Sequence, residues 1–108
     1  MFVAKVLGNV VTTQKVETMT GAKLLVIDPL LMDAKKMAFT STGKTYVAVD
    51  AMGAGEGEIV LVTQGSSARM TPETKSLPID TLVVGIVDTV HVDQACVFGR
   101  EPSKEIGE

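Results

Sequence analysis

The sequence predicts a small all-β protein, a closed or nearly closed five-stranded barrel, on three observations. Its apolar residues follow no helical period and fall instead in short blocks rich in β-branched residues, separated by clusters of Gly, Pro, Asp or Thr. No helical segment is long enough to cover a sheet face. A chain of 108 residues makes one domain with room for a modest core. Strand number alone leaves a small sandwich open beside the barrel.

The first block runs from Phe2 to Thr13 with Gly8 at its centre, where a barrel strand bends or bulges. Gln14 to Gly21 is polar, ends in glycine and reads as a hairpin loop. The second block, Ala22 to Leu30, is closed by Asp28-Pro29, because proline donates nothing to a ladder. Between Leu31 and Lys44 the pattern is undecided: Met32 to Met37 suits a helical turn and equally a mobile connection. Thr45 to Met52 and Glu58 to Gln64 are the third and fourth strands, joined by Gly53-Ala54-Gly55-Glu56-Gly57. Ser67 is placed to cap a short helical turn over Ala68-Arg69-Met70, and Thr71-Pro72-Glu73 offers a second helical start. Asp80 to Val92 is the fifth strand. The barrel domain therefore spans residues 1–92, and 93–108 form a C-terminal tail with little apolar material past Phe98.

A barrel strand alternates between interior and water. Here the alternation fails in Leu24-Leu25-Val26-Ile27, in Ile59-Val60-Leu61-Val62 and in Leu82-Val83-Val84-Gly85-Ile86-Val87. Two-faced strands are ordinary where helices cover a sheet, and this sequence has no such helices. Another copy of the chain is the simplest cover; the tail or the Leu31–Lys44 segment is the alternative. Each outward aliphatic side chain removed from water contributes about 1.5–3 kcal/mol, enough in sum to offset the entropy lost on association.

Composition narrows the partners. The net charge of −3 supplies no field for nucleic acid or anionic lipid. No apolar segment approaches the roughly 18 residues of a membrane span. Met1-Phe2-Val3-Ala4-Lys5 has neither the basic nor the long apolar region of a signal peptide, and a single cysteine, Cys96, forms no internal disulfide, so a reducing cytosolic setting is expected.

Candidate chemistry is sparse. Gly53-Ala54-Gly55-Glu56-Gly57 resembles half a dinucleotide fingerprint, but its third glycine comes one place early and a strand follows where a helix is needed. Gly43-Lys44-Thr45 ends like a phosphate loop, yet Ala38 stands where the leading glycine belongs. Gly65-Ser66-Ser67-Ala68-Arg69 offers backbone N–H groups, two hydroxyls and an arginine, suited to an anion or, more plainly, to capping. His91 and Cys96 read as one surface imidazole and one buried thiol rather than a catalytic pair. Asp28, Asp50, Asp80 and Asp88 sit near strand ends, where carboxylates cap turns. No metal-ligand spacing occurs, so no cofactor or metal is expected. The barrel shape invites a second function, single-stranded nucleic-acid binding of the oligonucleotide-binding type. Against it stand three phenylalanines, one tyrosine and an acidic balance.

The stretches VLGNVVTTQK, KLLVIDPL, VAVDAMGAGEGEIVLVTQGSSAR and VVGIVDTV closely resemble the pentameric vertex proteins of bacterial microcompartments, the shell family of carboxysomes and of ethanolamine, propanediol and glycyl-radical metabolosomes. The resemblance covers Met1 to Val92. It is most specific where D-x-x-G-A-G-x-G-E (Asp50 to Glu58) is followed by G-S-S-A-R. It implies a barrel of oligonucleotide-binding-like shape, a homopentamer, hexameric shell proteins as neighbours, a place in the shell within the bacterial cytoplasm, and no catalysis. Subunit-interface or axial-loop roles would then fall to Asp50, Gly53, Gly55, Gly57, Glu58, Gly65, Ser66, Ser67 and Arg69.

Overall fold

The computed structural model describes residues 1–13, 21–70 and 79–99, with Ser67 and Arg69 described as backbone only. Its strands are β1 (Phe2–Val10), β2 (Lys23–Asp33), β3 (Ala38–Ser41), β4 (Tyr46–Asp50), β5 (Ile59–Gln64), β6 (Thr81–Ile86), β7 (Val90–Val92) and β8 (Ala95–Phe98). Residues 14–20, the segment Thr71-Pro72-Glu73 and the end of the tail lie outside the described residues.

Five strands close on themselves in the order β1-β5-β6-β4-β2, with β1 pairing back onto β2. β4 and β6 run parallel, and the other barrel pairs are antiparallel. The interior is filled by alternate residues of each strand: Ala4 and Val6, Leu25 and Ile27, Ala48, Val60 and Val62, and Val83, all essentially inaccessible. Phe2 packs against this core and meets Tyr46 edge-on, ring centroids 6.2 Å apart. Two bulges bend the sheet into a cylinder, one between Val6 and Gly8 and one between Leu61 and Val62 in the β5–β6 ladder. The bend expected at Gly8 thus falls one residue earlier, with Leu7 as the extra residue.

Three expected boundaries are corrected. Asp28-Pro29 does not close β2. Pro29 sits where β2 exchanges one partner for another: Ile27 is the last residue opposite β4, and Leu30 the first opposite β3. The Pro29 carbonyl accepts Thr42 N–H (3.2 Å), so its ring nitrogen faces the end of the β3 ladder, where no donor is required. Leu31 to Lys44 is neither a helical turn nor a loose connection but the far half of a β2–β3 hairpin. Its turn is held by Asp33 Oδ1, which accepts Lys35 and Lys36 N–H, with Met37 at φ 52°. Asp80 to Val92 is not one strand. After Val87 N–H donates to Ile59 O the chain leaves the barrel, and β7 pairs with β8 through a two-residue turn in which Asp93 and Gln94 both have positive φ.

The apolar outer surface is covered in part by the chain itself. A second cluster of Val49, Ala68, Ile79 and Leu82, flanked by Leu24 and Val84, lies on the outside of β4 and β6 beneath the 3-10 turn Gly65–Arg69. That turn begins at Gly65, ahead of the cap expected at Ser67.

Candidate functional site

Asp50 ends β4 and organises the loop that follows. Its carboxylate is buried; Oδ1 accepts Met52 N–H (2.8 Å) and Gly53 N–H (3.2 Å), and Oδ2 accepts Ala54 N–H (2.8 Å). Lys23, at the start of β2 and directly opposite Asp50, donates to Ala54 O (3.1 Å) and lies 3.5 Å from Oδ2. The Lys23 side chain is half exposed, so most of the anchoring comes from the three amide hydrogen bonds rather than from the ion pair.

The next links are reciprocal. Gly55 N–H donates to Glu58 Oε1 and Glu58 N–H donates to Gly55 O. Gly57 N–H donates to Val6 O (2.8 Å) and Val6 N–H to Glu58 O (2.9 Å), stitching the loop onto β1 beside its bulge. Gly53 and Gly57 adopt φ of 82° and 90°, a region that a side chain makes costly. The Asp50 and Glu58 carboxylates are therefore engaged by amides of the loop itself, whereas Glu56 is exposed. A cleft of about 220 Å³ opens beside it, between Val6, Gly8, Asn9, Lys23, Leu25 and Glu56.

The second motif lies elsewhere. Gly65, at φ 74°, donates its N–H to Asp80 O (2.8 Å) and starts the 3-10 turn whose Ala68 is fully buried in the outer cluster. The six residues of β5 separate it from Glu58, about 20 Å of extended chain. The structure thus brings Asp50, Gly53, Gly55, Gly57 and Glu58 into one loop, and places Gly65, Ser66, Ser67 and Arg69 at the other end of the strand. Lys23 escaped the sequence reading, since nothing in its own neighbourhood marks it as the partner of a loop so distant in the chain.

Two further candidates, His91 and Cys96, stand apart from both motifs. His91 and Cys96 are directly opposite one another on β7 and β8, outside the barrel. His91 is exposed, whereas Cys96 is half-buried rather than buried and donates its thiol to Phe98 O. Among the described residues no group of three or more His, Cys, Asp or Glu is placed to hold a metal ion. Among the same residues no helix is long and apolar enough to cross a membrane.

Residues 1–88 match the family model described as ethanolamine utilisation protein EutN/carboxysome. The chain belongs to this EutN/carboxysome family. The matched span takes in the whole barrel and stops before β7. Among curated relatives, the microcompartment shell vertex protein GrpN of Rhodospirillum rubrum is 49% identical over 84% of this chain and 97% of its own. PduN of Salmonella typhimurium, also a shell vertex protein, is 46% identical over 83% and 98%. The carboxysome shell vertex protein CcmL of Synechocystis is 41% identical over 93% and 95%. Among solved structures, CcmL of Nostoc superposes with a TM-score of 0.82 at 37% identity, covering 93% of this chain and all of that one. The pentameric shell protein GrpN superposes with a TM-score of 0.70 at 47% identity, covering 85% of this chain and 98% of that one.

Proposed function

We propose that five copies of this chain close into a ring that occupies a vertex of a bacterial microcompartment shell in the cytoplasm, beside facets of hexameric shell proteins, without catalysing a reaction or holding a cofactor. The observation that carries this reading is the match to GrpN, a pentameric shell protein whose fold and 47% of whose aligned residues this chain shares. The physical case runs in parallel. A head-to-tail contact that repeats at the right angle closes after a fixed number of copies. A five-fold unit among hexagonal tiles turns a flat sheet into a closed surface.

In that ring the Asp50–Glu58 loop acts as a rigid brace, because the Asp50 and Glu58 carboxylates are spent on its own amides. The Gly65–Arg69 turn is the part offered to the ring axis or the next copy. Nucleic-acid binding fits the barrel poorly, since Phe2 is packed on the core and engaged with Tyr46 rather than free to stack on a base.

Native mass spectrometry tests the reading: a species of five chains is expected, and a stable monomer at micromolar concentration overturns it. Co-expression with a hexameric shell protein should give closed polyhedra by electron microscopy, and open sheets or tubes when this chain is left out.

A further inference from the structure

We draw no further inference here: the strongest candidate, the cleft of about 220 Å³ between the β1 bulge and the Asp50–Glu58 loop, belongs to the site already described, its lysine, Lys23, being committed to Ala54 O and the Asp50 carboxylate.

Discussion

Replacing Asp50 with asparagine isolates the chemistry of the brace with almost no change in volume. One oxygen of the new amide can still accept Met52 and Gly53 N–H, as Oδ1 does now at 2.8 and 3.2 Å. The NH₂ group then faces two donors, Ala54 N–H and Lys23 Nζ, which at present lie 2.8 and 3.5 Å from Oδ2. A buried amide donor left unsatisfied costs about 1–3 kcal/mol. The half-exposed ion pair adds no more than about 1 kcal/mol. The expected destabilisation is therefore about 1–4 kcal/mol, with alanine at the upper end because all three amides lose their acceptor. Urea unfolding followed by circular dichroism at one fixed protomer concentration measures it, fixed because assembly contributes to apparent stability. Lys23→Met is the companion variant and should cost about 1–2 kcal/mol, from the ion pair and one hydrogen bond to Ala54 O. An asparagine variant as stable as the wild type refutes the account of the loop. A Lys23→Met loss equal to that of Asp50→Asn refutes the ranking of amide bonds over the ion pair.

Three further outcomes are expected. A methyl group at Gly99, where φ is 107°, would lie 2.3 Å from Asp88 O and 2.8 Å from Thr89 Cγ2; Gly99→Ala should release the β7–β8 hairpin, read as faster amide exchange in Val90–Phe98, while Gly8→Ala, with open space at its Cβ, leaves exchange there unchanged. Leu25→Ala empties part of the barrel centre and should lower stability by about 2–5 kcal/mol in the same urea assay. Gly65→Ala meets no clash but holds φ at 74°, so its cost should be only about 1–2 kcal/mol by urea unfolding, with the barrel's circular dichroism spectrum retained.

The strands that form the barrel were legible because they are short blocks rich in β-branched residues between Gly, Pro, Asp and Thr clusters; which alternate residues fill the interior, such as Val60 and Val62, was not, since their neighbours are apolar too. Nor was the β2–β3 hairpin. Met32-Asp33-Ala34-Lys35-Lys36-Met37 is rich in helix formers, and only the pairing of Leu30–Asp33 with Ala38–Ser41 overrides that local preference. The Asp93-Gln94 turn lacks the glycine that usually announces a two-residue hairpin. The outer cluster was invisible for another reason: Ala68 and Ile79 reach Val49 across the fold, and no local pattern records it. Of the candidate site, the Asp50–Glu58 loop could be read from its glycines and carboxylates. The partnership with Lys23 and the Val6 backbone could not, since both are made by strand register.

Pro29 divides the longest strand into two lengths with different partners on one edge, β4 before it and β3 after it. Upstream, the chain is a stave of the cylinder; downstream it is one side of a ribbon that leaves the cylinder, whose ladder begins only after the imino acid and whose other strand, β3, touches β8. Lengthening or trimming that ribbon would alter the outskirts of the molecule while every stave keeps its neighbours, so the fold can change how far it reaches without changing how it closes.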